Sequence, residues 1–220
     1  MRIFIQSTSP EELRKSWETG LMDGVTLSLT ELAGGKIVAE IKAQLDEIVR
    51  EFTVPICVPV PALSGAEIYR DARELARASD HVIVQVPFME DAVVPVRKLI
   101  AEGIRVCLTH VYNGTQAFLA AKLGASMVSI PVDDLEAHGQ RGSQVVGEIR
   151  EVIDRADMEC DVAVSAASSS AHFTECLLAG ANVMCMTPAI LRSLMMHALT
   201  ERGVDRFLRD VSRRRKPRSS

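Results

Sequence analysis

The sequence predicts an α/β chain closed into a single-domain (β/α)8 barrel. Three observations point there. Eight short apolar runs rich in branched residues recur along the chain, each followed by a stretch with helical spacing or helix-start chemistry. Strict strand-helix alternation implies right-handed crossovers and a parallel sheet. No G-x-G-x-x-G phosphate turn marks an open nucleotide-binding sheet, so eight units in 220 residues favour closure. The barrel is expected over residues 1–202, with a terminal helix and basic tail at 203–220.

In chain order, residues 2–7 form the first strand, and Ser9-Pro10-Glu11-Glu12 starts a helix with an N-cap, a proline at the first helical position and a glutamate at the third. Residues 24–27 form the second strand. A Thr30 cap then opens a stretch broken by Gly34 and Gly35, and Ile37, Ile41, Leu45, Ile48 and Val49 recur at helical spacing. The third strand covers residues 55–60, and Ser64-Gly65-Ala66-Glu67 reads as a capping box for a helix to about Ser79. The fourth, His81 to Pro87, carries one uncharged amide, Gln85, near its end. A helix from Glu90 to Glu102 should kink at Pro95 unless the proline lies in its first turn.

The fifth strand, 104–109, precedes a helix from Tyr112 to Leu123, and the sixth occupies 125–131. Residues 133–142 are polar and read as a loop before a helix through Ala156. Residues 161–165 and 182–186 are the last two strands. Thr187-Pro188 starts a closing pair of helices, 189–200 and 204–214.

The composition narrows the function classes. Five cysteines, odd in number and widely spaced inside apolar runs, suggest neither a disulfide framework nor a metal site, and no cofactor is expected. No apolar run is long enough to cross a bilayer and no leader pattern is seen, so a soluble, cytoplasmic protein is expected. Arg213, Arg214, Arg215, Lys216 and Arg218 hold five of the 25 basic side chains, and removing them from the net −4 leaves −9 on the rest. Without a basic surface interleaved with aromatics upstream, that tail reads as a solvated terminus, and nucleic acid is not expected as a partner.

A parallel barrel carries its chemistry at the carboxyl ends of its strands. Those ends offer Gln6 with Ser7, Thr26 with Ser28, Pro59, Gln85, Thr109, Ser129 with Asp133 and Asp134 beyond, and Ser165 with Ser168 to Ser170. Any one of these serines could simply cap a helix. Together they suggest a pocket for a polyhydroxylated or phosphorylated small molecule. Among the histidines, His138 in the polar loop is the best candidate general acid or base. By strand alternation His110 should face the helices, His81 begins its strand at the far end, and His172 and His197 sit on helices. Cys107, amid Val and Leu, reads as inert.

The order of motifs resembles the transaldolase family, most closely its small fructose-6-phosphate aldolase-like branch, over nearly the whole chain. The carriers are Gly24-Val25-Thr26 with Ser28; Val86-Pro87 followed by Ala101-Glu102-Gly103-Ile104; Thr109 with Val111-Tyr112 and Gln116; and Cys176-Leu177-Leu178-Ala179-Gly180. The resemblance implies a sugar-phosphate or small carbonyl ligand and a homo-oligomer, a pentamer ring or paired decamer, with the terminal helix reaching a neighbour. It also implies a Schiff-base lysine immediately before Val86-Pro87, where this chain has Gln85, which cannot be a nucleophile. Gln6 stands at the family's acid/base aspartate. Ser28 replaces an asparagine, Pro59 a glutamine and Pro131 a tyrosine, while Thr109 and Ser165 keep their types. Small residues, Ala166-Ala167-Ser168, replace the basic residue that holds phosphate. Lys36, Lys42, Lys98 and Lys122 all fall in helical stretches and offer no substitute. Two functions remain open on these residues: a diverged enzyme without covalent catalysis, in which Gln85, Gln6, Thr109, Ser129 and Ser165 orient substrate and water, or a non-catalytic metabolite-binding or partner-binding pseudoenzyme.

Overall fold

A computed structural model describes residues 1–28, 37–62, 64–165 and 169–215. Eight parallel strands close into a barrel in sequence order: β1 (Arg2–Gln6), β2 (Gly24–Thr26), β3 (Ile56–Pro59), β4 (Val82–Pro87), β5 (Arg105–Thr109), β6 (Met127–Pro131), β7 (Asp161–Ser165) and β8 (Val183–Met186), with β8 pairing back onto β1. The helices are α1 (Pro10–Glu18), α2 (Ile37–Glu51), α3 (Gly65–Ala76), α4 (Val93–Ala101), α5 (Gly114–Lys122), α6 (Val132–Ala137), α7 (Gly142–Arg155), α8 (Ser170–Leu178), α9 (Pro188–Leu194) and α10 (Ala198–Arg215). Among the described residues no helix is long and apolar enough to cross a membrane.

The strands are apolar on both faces because both faces are buried. One face, including Val25, Ile56, Val84, Val106 and Val128, packs with the helices in a continuous core. The other fills the barrel: Phe4, Cys57, Ile83, Cys107, Met127, Ala163, Val183 and Cys185 form a separate inner cluster. Phe4 is fully buried and pairs in register with Gly24, where a Cβ would sit 2.5 Å from the Phe4 ring. Glycine at that site lets one aromatic ring plug the narrow interior. Beneath it an Arg2–Asp161 ion pair lies at the amino-terminal end.

Helix starts follow the capping chemistry. Ser9 accepts from the Glu12 amide ahead of Pro10, and Ser64 and Glu67 make both bonds of the capping box, at 3.4 and 3.0 Å. Asn113 caps α5 and Thr187 caps α9, so α5 starts two residues later than the apolar pattern suggests. Pro95 is the third residue of α4, after a 3₁₀ turn at Glu90–Ala92, and its missing N–H breaks no helical bond.

Two expectations are corrected. Residues 133–142 are not all loop: Val132–Ala137 form α6, with Asp133 and Asp134 in the first turn, where carboxylates favour the helix dipole. The closing helices meet at residues 195–197, and α10 runs through Gly203, because an exposed glycine costs a helix only about 1 kcal/mol. The Thr30, Gly34 and Gly35 stretch lies outside the described residues, as do Lys36 and the end of the basic tail.

Candidate active site

Because side chains alternate across a strand, the residue two positions beyond each member of the inner layer opens onto the barrel mouth. Phe4 is followed by Gln6, Cys57 by Pro59, Ile83 by Gln85, Cys107 by Thr109, Met127 by Ser129 and Ala163 by Ser165. Register brings them level: Gln6 with Thr26, Pro59 with Gln85, and Pro131 with Ser165. They line a cavity of about 380 Å³ together with Ser28 and His110, and Cys185 reaches it from the layer below.

The lining is polar and sparsely bonded. Thr26 and Ser129 are buried, while Gln85 is half-buried with its Nε2 3.5 Å from Thr26 Oγ1. Ser129 Oγ donates to Ser165 Oγ at 3.3 Å. Thr109 Oγ1 lies 3.0 Å from His110 Nδ1. Such hydroxyls and amides can exchange these bonds for bonds to a ligand at little net cost. Burial pushes the Cys185 thiol up to about 12, so it stays protonated at neutral pH. All five cysteines are buried and all five thiols are raised, chiefly by burial.

Of the residues singled out from sequence, Gln6, Thr26, Ser28, Gln85, Thr109, Ser129 and Ser165 share this cavity. Asp133 and His138 are not among its lining residues. Asp133 lies on α6 with Oδ1 3.7 Å from His172 Nδ1, and His138 follows α6 with Nδ1 2.7 Å from the Asp134 carbonyl oxygen. Ser168 lies outside the described residues; its neighbour Ser169 caps α8 by accepting from the His172 amide at 3.2 Å.

The expectation that His110 faces the helices is overturned. It lies past the last residue of β5, adopts a left-handed φ of 58°, is exposed, and lines the mouth. Period-two alternation does not extend through such a turn. The loop is held by Tyr112, whose amide donates to Gln116 Oε1 at 2.8 Å and whose hydroxyl donates to Asp134 Oδ2 at 3.0 Å. Sequence reasoning also missed the contact of His172 Nε2 with Glu136 Oε2, at 2.8 Å, which joins α6 to α8. The signal available for His110 was the end of the apolar run at Thr109; for the α6–α8 pair no local pattern exists.

A larger groove of about 580 Å³ lies on the outer helices, but most of its cations already have partners: Arg73 bonds Glu102, Arg70 bonds Asp71, and Lys42 lies 3.6 Å from Glu74. Among the described residues no group of three or more His, Cys, Asp or Glu side chains is placed to hold a metal ion.

Comparison with known proteins agrees with this architecture. The family model described as transaldolase/fructose-6-phosphate aldolase matches residues 11–216. A probable transaldolase from Bdellovibrio bacteriovorus is 33% identical over 98% of this chain and 100% of its own length. One from Thermodesulfovibrio yellowstonii is 31% identical over 98% and 100%, and one from Phenylobacterium zucineum 32% over 96% of both chains. With the eight-stranded closed barrel and a polar mouth at its strand ends, these matches place the chain in the transaldolase/fructose-6-phosphate aldolase family.

Proposed function

We propose that the protein binds a small hydroxylated carbonyl compound at the barrel mouth, free or as its phosphate, and acts on it without covalent capture. The observation that carries this reading is Gln85. It lines the cavity one residue before Val86-Pro87, the place where the resemblance puts the Schiff-base lysine. An amide there can donate to a carbonyl oxygen but cannot add to its carbon. Gln6, at the place of the family's acid/base aspartate, likewise orients and does not ionise. Among the described residues the lining has no Lys or Arg, which favours the unphosphorylated compound over its phosphate.

A second reading, a metabolite-binding protein without turnover, is favoured by the same pair of amides, since both positions that would carry nucleophile and proton carrier are uncharged. Titration of dihydroxyacetone and fructose 6-phosphate by protein-observed NMR tests the pocket. Shifts should gather on β4, β5 and β7 resonances, and Gln85→Ala should weaken binding by roughly tenfold, the worth of one hydrogen bond of about 1.4 kcal/mol. Shifts elsewhere, or none, would refute it. Turnover of the bound compound distinguishes the two readings.

We also propose that the chain self-associates through α10. Leu199, Val204, Phe207 and Leu208 are 68%, 49%, 65% and 53% exposed on that helix, an apolar surface suited to a second copy of the chain. A pentamer ring, or a pair of rings, is the assembly the family resemblance implies.

A further inference from the structure

We propose that His110 is the general acid–base of this mouth, moving a proton between adjacent carbons of an α-hydroxy carbonyl compound. The inference rests on the pocket reading above and adds the reaction class. A non-glycine residue at a φ of 58° gives up on the order of 1 kcal/mol of backbone energy. What that conformation achieves is placement of an imidazole on the rim of a cavity whose other polar groups are hydroxyls and amides.

Orientation is provided. Thr109 Oγ1 lies 3.0 Å from Nδ1, and in the tautomer whose Nδ1–H donates to that oxygen, Nε2 is the bare nitrogen that takes a proton from a ligand. Thr109 is fixed by its strand, and its carbonyl oxygen accepts from the Phe88 amide at 2.9 Å. No competing proton carrier lines the mouth among the described residues. Gln6 and Gln85 do not ionise, and Cys185, the other titratable side chain there, is a protonated thiol at the cavity floor. The Gln85 amide and the Ser129 and Ser165 hydroxyls supply donors for an oxygen that gains negative charge.

The step balances without a co-reactant. Neutral His110 removes the proton from the carbon bearing the hydroxyl next to the carbonyl. The C–H electron pair becomes the carbon–carbon double bond of an enediolate, and the carbonyl oxygen takes the negative charge. The imidazolium returns the proton to the former carbonyl carbon, and the remaining hydroxyl proton passes between the two oxygens. The net change is isomerisation between a hydroxyaldehyde and a hydroxyketone.

The test uses the full chain in deuterated buffer with dihydroxyacetone and glyceraldehyde, following carbon-bound deuterium and interconversion by NMR. Wild type should catalyse both the exchange and the interconversion of the two compounds. His110→Gln should lose about 10²-fold or more of that rate, while binding dihydroxyacetone within a few-fold of wild type. Thr109→Val should lower the rate more than it weakens binding. Exchange that survives His110→Gln, or a wild type that binds dihydroxyacetone without exchanging it, overturns the role of His110 and leaves the pocket standing. A wild type that binds neither compound overturns the pocket and this inference together.

Discussion

Substituting Gly24 by alanine probes the packing that supports the mouth. The new Cβ would lie 2.5 Å from Cδ1 and Cε1 of Phe4 and 2.8 Å from Cζ, against an ordinary carbon–carbon separation of about 3.5–4.0 Å. The ring must retreat by roughly 1 Å. It is fully buried in the inner cluster with Cys57, Ile83, Met127 and Cys185, so it has no solvent to move into. Overpacking of this kind costs about 1–3 kcal/mol. Reduced freedom of the unfolded chain returns about 0.4–1 kcal/mol, leaving a net loss of about 1–2 kcal/mol. For a chain of this size that is about 2–8 °C in Tm. Phe4→Leu alone should also destabilise, but the double variant should cost less than the two singles together, with a coupling on the order of 1 kcal/mol in urea unfolding. Gly24→Ala at or above wild-type stability, or strict additivity, would refute the account of the barrel interior.

Gln85→Lys together with Gln6→Asp should restore a trappable amine, seen as a borohydride-fixed dihydroxyacetone adduct by intact mass; no adduct would mean the mouth does not hold that carbonyl against β4. The buried thiols give a pH dependence of stability. Their folded pKa values are raised, from 9.0 to about 12 for Cys160 and Cys185 and to about 11 for Cys176, so above pH 9 the unfolded chain releases protons that the folded chain keeps. Their contribution is full below about pH 9 and declines from there toward the folded values, and urea midpoints should fall less steeply with alkaline pH in Cys160→Ala than in wild type; parallel slopes would contradict this. Phe207→Asp with Leu208→Asp should shift the light-scattering mass from an oligomer to a monomer, and an unchanged mass would exclude α10 as the association surface.

The barrel was legible because its evidence is local and repeated. The strands are short apolar runs, several crossovers are opened by a side-chain cap, as at Ser9, Ser64, Asn113 and Ser169, and the Ser64–Glu67 box forms with both bonds. The mouth was legible for the same reason, since alternation carries Gln6, Gln85, Thr109, Ser129 and Ser165 to one end of one interior. Legibility failed where periodicity stops. His110 lies one residue past β5 in a left-handed turn, so the rule that works for Thr109 assigns it the wrong side. α6 was obscured because Asp133, Asp134 and Glu136 make a helix of few residues look like a polar loop. The approach of His172 to Glu136 depends on how α8 lies against α6, and nothing near either residue announces it.

The central claim is that this family member meets its carbonyl ligand at Gln85 without forming a covalent bond. Borohydride reduction of the wild-type protein with fructose 6-phosphate or dihydroxyacetone, read by intact mass, tests it most directly. The account predicts an unmodified chain. A reduced adduct on any lysine would contradict it.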